Sequence, residues 1–115
     1  MKKLLIPTLQ GMKFINPLDI SFLKAINNYT EIYLINNCNK ILTCKPLGTI
    51  EKYLSNDIFF RCHRTYIINI NQIAEYNYFT GGGIITLHNG QKIRLAKRRK
   101  KQFLEIIKPK YKILI

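Results

Sequence analysis

Apolar residues in this chain come in short runs broken by Asn, Gly and Pro, a rhythm that predicts strands more than long helices. Lys13 to Asn16 forms a first strand, stopped by Pro17, and Ile20 to Asn27 a second. Asn27-Asn28 is a turn, Thr30 to Ile35 a third strand, and Asn36 to Asn39 another turn before a strand from Lys40 to Cys44. The period then changes. Leu47, Ile50, Tyr53 and Leu54 recur at helical spacing behind Pro46, whose missing N–H suits a first helical turn, so residues 46 to 54 predict a helix over an open sheet face. Asn56-Asp57 ends it.

The strand pattern returns with FFRCHRTYIINI, Phe59 to Ile70, and with Ile73 to Tyr78. Gly81-Gly82-Gly83 predicts a flexible turn and lacks the spacing of a phosphate loop. Ile84 to His88 and Gln91 to Leu95 flank Asn89-Gly90, a strong hairpin signal because both turn positions of a two-residue loop need positive φ. Such a loop pairs Thr86 with Ile93 and Ile84 with Leu95, leaving Lys92 and Arg94 to share the other face with Ile85 and Leu87. After Leu95 the period is helical again: Phe103, Ile106 and Ile107 form a stripe, Arg98 and Lys101 point away from it, and Lys97 lies on its flank. The predicted fold is a mainly β domain of short antiparallel strands with a short internal helix and a C-terminal helix.

Length and composition narrow the picture. A chain of 115 residues, 47% hydrophobic, is one domain, 1–115, with enough apolar surface for a core. Nineteen basic residues against six acidic ones give a formal charge of +13, the mark of a polyanionic partner. Ten of those cations fall between Lys92 and Lys112, where Glu105 is the one acid. Cys38, Cys44 and Cys62 form no CxxC, and with His63 and His88 they make neither a disulfide framework nor a zinc site, so no cofactor is expected. The opening MKKLLIP has too short an apolar run for a signal peptide, and no stretch reaches membrane-spanning length. A cytoplasmic protein without a membrane partner is expected.

Two clusters carry candidate chemistry. KRRKK, Lys97 to Lys101, begins a helix where the backbone dipole is already positive, and each cation there costs about 0.3–1 kcal/mol. Dipole and side chains together make an anion site. In the other cluster, Arg61 and His63 share one face of an extended chain, and a strand ending near His63 projects His63 and Arg64 from its tip. Arg donates bidentately to guanine and His to a base or phosphate; equally, His63 can be a structural ring satisfied by backbone. Asn27-Asn28-Tyr29-Thr30 supplies amides and hydroxyls at a hairpin tip, which reach phosphates or only close the turn. The aromatic residues suit a core better than a stacking platform, since no RRM-type [RK]G[FY] string occurs. The six acids form no pair at catalytic spacing, so no enzyme is expected. Cys62, beside two Arg and a His, is a weak candidate for a thiol of lowered pKa.

The string Phe60, Arg61, His63, Arg64, Thr65, Tyr66, Asn69 resembles the signature of the LytTR family, the DNA-binding domain of many bacterial response regulators. The resemblance covers nearly the whole chain: NNYTEIYL, the PLGTIEKYL helix, the Asn-Gly hairpin, and IRLAKRRKK, similar to the family's closing stretch. It implies an elongated, mostly β fold that inserts loops into successive major grooves, binds paired direct repeats of double-stranded DNA, an arrangement open to a homodimer on DNA, and controls transcription. Its implied contacts are His63, Arg64, Arg98 and the loop Asn28, Tyr29, Thr30, with Arg61, Lys97, Arg99 and Lys101 toward phosphates. Tyr66 and Asn69 hold the scaffold. Ala96 departs from the family's usual Ser, a lost helix cap, and Lys97 from its usual Arg, which alone makes a bidentate fork. No receiver domain is recognisable, so the chain is a stand-alone regulator or part of a longer protein. Two other functions fit the residues: a general binder of RNA or other nucleic acid, and a protein-interaction module without DNA binding.

Overall fold

In a computed structural model, residues 2–36 and 39–114 are described. Cys38, and part of the turn expected at Asn36 to Asn39, lie outside them. Ten strands form three antiparallel sheets. β1 (Leu4–Thr8) pairs with β2 (Gly11–Ile15). A five-stranded sheet has the order β5 (Lys40–Thr43), β4 (Tyr29–Leu34), β3 (Ile20–Ile26), β7 (Tyr66–Asn69), β6 (Phe59–His63). A three-stranded sheet has the order β10 (Lys92–Ala96), β9 (Gly82–Leu87), β8 (Ile73–Phe79). Helices α1 (Leu47–Glu51) and α2 (Lys100–Ile107) complete the fold.

The five-stranded sheet is the middle layer. On one side Leu23, Ile32, Phe59 and Ile67 pack with Leu47, Ile50 and Leu54 around α1 and with Ile6 and Ile15 of the first hairpin. On the other, Phe22, Phe60, Cys62 and Ile68 pack with Ile85, Ile93, Leu95 and Phe103 of the small sheet and α2. Burial on both faces explains why the central segments read as unbroken apolar runs instead of alternating ones. At the N-terminus the structure forms a full hairpin where only a strand at Lys13 to Asn16 was predicted. Pro7 is tolerated because β1 has a partner on one side only. Its outer face leaves Leu5, Met12 and Phe14 exposed. The helix predicted over 46 to 54 is shorter: Pro46 is its cap residue, and Tyr53, placed on the apolar stripe, is 73% exposed.

The hairpin β9–β10 differs by one residue from the predicted register. Lys92 pairs with Thr86, Ile93 with Ile85, and Arg94 with Ile84. His88, Asn89 and Gly90 form a three-residue loop, with the Gly90 N–H donating to the Leu87 carbonyl and Gly90 at φ +91. Burial decides this. A one-residue shift exchanges faces, and the observed register puts Ile85, Leu87, Ile93 and Leu95 on the core side together, while Lys92 and Arg94 face outward with Thr86 and Ile84. The glycine run is a turn only at its start, where Gly81 turns the chain with Thr80. Gly82 and Gly83 begin β9, and a Cβ on Gly83 would lie 2.5 Å from the Tyr76 ring and 3.0 Å from the Asn77 carbonyl.

Candidate nucleic-acid interface

β6 ends at His63, Arg64 and Thr65 turn the chain, and β7 starts at Tyr66, with His63 paired to Tyr66. The Thr65 carbonyl accepts from the Ala25 N–H at 2.8 Å, tying this turn to β3. The Thr65 N–H donates to His63 Nδ1 at 3.2 Å, and Thr65 Oγ1 lies 3.0 Å from the same nitrogen. With Nδ1 accepting, the neutral imidazole carries its proton on Nε2, a donor on the other side of the ring. Burial, then the charges of Arg94 and Arg64, hold the histidine below its ordinary pKa. The ring is therefore positioned by its own turn and also offers a donor, so the two sequence-level readings of His63 are compatible.

Arg61 behaves differently from its neighbours. A register shift between Phe60 and His63 breaks the strand alternation, so Arg61 and His63 do not share a role on one regular face. The Arg61 guanidinium donates to Glu51 Oε1 at 2.8 Å and to the Arg64 carbonyl at 2.6 Å. It bridges α1 to the turn, and its guanidinium is engaged inside the protein instead of being held out for a phosphate. The Arg64 side chain is exposed, with no hydrogen bond or ion pair to any described residue. Two turns meet at this end of the sheet: Ala25, Asn27, Gly48, Arg61, Arg64 and Thr65 line one open depression of about 400 Å³. Asn27 takes φ +53 to make the β3–β4 turn, where Asn28 and Tyr29 are exposed. Thr30, expected to reach DNA with them, is fully buried, and its hydroxyl donates to the Lys45 carbonyl at 2.7 Å. It closes the base of the loop.

In the second cluster, Lys97–Arg99 form a 3-10 turn ahead of α2, and Ala96 caps it with no side-chain hydrogen bond. Lys97, Arg98 and Lys101 are exposed. Arg99 is half-buried, donates to Gln102 Oε1 at 3.4 Å, and lines a crevice with Glu51 and Arg61. Lys100 Nζ sits 5.1 Å from the centre of the Tyr78 ring. That ring is 73% exposed, so not every aromatic is core. Cys62 is fully buried, and burial pushes its thiol up to about 12, the opposite of an activated thiolate. Sequence reasoning passed over Lys24, which stands 5.9 Å from the centre of the Tyr66 ring, and Arg94, whose charge reaches His63. The alternation Lys92-Ile93-Arg94-Leu95 marked Arg94 as outward, but only packing shows what it stands beside. Among the described residues no group of His, Cys, Asp and Glu could hold a metal, and no helix is long and apolar enough to cross a membrane.

Exposed cations on turns and at a helix start, carried by stacked antiparallel sheets, define a β-rich domain with a surface suited to a polyanion. Residues 10–108 match the LytTr DNA-binding domain family, and the chain belongs to it. That family is one of DNA-binding domains, not of enzymes. The transcriptional regulatory protein LytR of Staphylococcus aureus (strain N315) is 36% identical over 78 residues, covering 67% of this chain and 31% of that protein. The sensory transduction protein LytT of Bacillus anthracis is 24% identical over 109 residues, 94% of this chain and 44% of that one. The chain thus spans less than half of the length of these relatives. A LytTr DNA-binding domain from Bacillus cereus has the same fold, with a TM-score of 0.80 at 19% identity over 94% of this chain and 98% of its own.

Proposed function

We propose that this domain binds double-stranded DNA with sequence preference and serves a cytoplasmic transcriptional regulator; its Staphylococcus aureus relative is named a transcriptional regulatory protein and its Bacillus anthracis relative a sensory transduction protein. Arg64 and His63 at the β6–β7 turn meet base edges in the major groove, with Asn28 and Tyr29 of the neighbouring turn beside them. Arg98 begins a second contact, and Lys97 and Lys101 neutralise phosphates. Arg61 positions the first turn, through Glu51 and the Arg64 carbonyl. Paired direct repeats, occupied by two copies, are the proposed target. The single observation that carries the reading is the free Arg64 side chain on a turn braced by Arg61, Ala25 and Thr65. Pre-organised donors lose little freedom on binding.

Selection of bound sequences from a random duplex library, followed by binding of variants, tests this. Arg64→Ala is expected to cost about 1–3 kcal/mol on the selected site and to relax preference at one base position. An equal loss on random duplex would make Arg64 a phosphate contact. No enrichment of any sequence, with binding to RNA equally tight, would replace the proposal with general nucleic-acid binding.

A further inference from the structure

Arg94 is assigned no part in the contacts above, yet its surroundings make it unlike most cations of the chain. It stands on β10 between Ile93 and Leu95, which are buried, so its side chain leaves the strand on the exposed side. β10 packs against β6, the strand that ends in His63. The groups around that imidazole are Arg64 on its own turn, Thr65 and Tyr66 at the start of β7, and Arg94 from the other sheet, with Lys24 beyond the Tyr66 ring. No acid faces it among these. Three other cations have a side-chain partner within the protein: Arg61 the carboxylate of Glu51, Lys40 that of Glu31, and Arg99 the neutral amide of Gln102. The side chains of Arg64 and Arg94 have no hydrogen bond or ion pair with any described residue.

Folding thus sets the strand that carries the exposed Arg94 against the strand that leads into His63 and Arg64, with no ion pair on either guanidinium among the described residues. Like charges held together are unfavourable unless an anion joins them. We infer that Arg94 is a further DNA-contacting residue, a phosphate clamp from the three-stranded sheet that sets how deeply the His63–Arg64 turn enters the groove. This rests on the DNA-binding reading of that turn and extends it to a second sheet. The phosphate assignment follows from placement. Arg64 is at a turn tip, which can enter a groove, whereas Arg94 lies within a strand paired to β9, whose flank meets the groove wall where the phosphates are.

The test compares wild type, Arg94→Ala, Arg94→Lys and Arg64→Ala on the selected operator and on a random duplex of the same length, across a salt series. Arg94→Ala is expected to weaken both duplexes by the same several-fold factor and to make the slope of log K against log salt shallower by about 0.9. Arg94→Lys, which keeps the charge, retains most of the affinity. A loss confined to the operator overturns the phosphate assignment, and no loss on either duplex overturns the inference. Because Arg94 is exposed, its variants are expected to keep the wild-type urea midpoint, and Arg94→Gln replaces Arg94→Ala if they do not. If Arg64→Ala relaxes operator preference while Arg94→Ala changes nothing, this inference fails alone. If wild type binds no duplex at low salt, the reading beneath it fails and takes this one with it.

Discussion

At the scale of single residues, the site depends on groups that never meet the ligand. Asn69 is 1% exposed; its amide donates to the Ile20 carbonyl at 2.9 Å, and its Oδ1 accepts from the Asn71 N–H at 2.9 Å. Asn69→Ala leaves a buried carbonyl unpaired, and urea denaturation is expected to show a loss of about 1–3 kcal/mol. His63 gives a pH signature. Its folded pKa lies below its unfolded value, so as pH falls the unfolded chain takes the proton first. Stability is whole above about pH 6.5, the ordinary histidine value, and declines below it. The urea midpoint is therefore expected to drop between about pH 7.5 and 5.5 in wild type and to drop less in His63→Gln. Glu31, held below the ordinary carboxylate range chiefly by its hydrogen bond from Lys40, loses its contribution only at more acid pH. The motif singles out Arg61, His63 and Arg64 as candidates. That Arg61 turns inward while Arg64 stays free depends on where Glu51 sits, ten residues away in sequence and on another element.

Elements show a similar division. The start of α2 combines an uncapped 3-10 turn with cations against its own dipole, an arrangement that stability does not favour. Ala96→Ser supplies the missing cap acceptor. It is expected to raise stability by about 0.5–1 kcal/mol with no change in affinity for random duplex, measured by urea melts and filter binding. A drop in affinity would mean that the exposed backbone N–H groups there serve the anion directly. Strand identities along most of the chain were legible because Asn, Gly and Pro mark the turns. The β9–β10 register was not. Asn-Gly signals a tight turn, but loop length is settled by which register buries Ile85, Leu87, Ile93 and Leu95 together. The N-terminal hairpin was half hidden for a related reason, since Pro7 reads as a strand breaker until its strand is known to be an edge.

For the whole molecule, extents of 49 × 28 × 25 Å make a body longer than one turn of DNA, about 34 Å. If the turn tips and the α2 start engage successive grooves, affinity is expected to rise with duplex length and level off near one and a half turns, about 15 base pairs. A plateau at half that length would confine contact to one cluster. The net charge of +13 adds salt-dependent attraction over this whole length.

The sequence by itself determined the class of the fold, the positions of most strands and the cationic motifs, because alternation, turn residues and charge are local properties that survive without a partner. Only the tertiary structure decided which cations are free. Arg61 is bonded to Glu51 and to the Arg64 carbonyl, Arg99 to Gln102, Thr30 is buried under its loop, and β10 brings Arg94 against the strand that ends in His63. Those outcomes depend on contacts between elements far apart in the chain, where burial and counter-charge, not spacing, choose each partner.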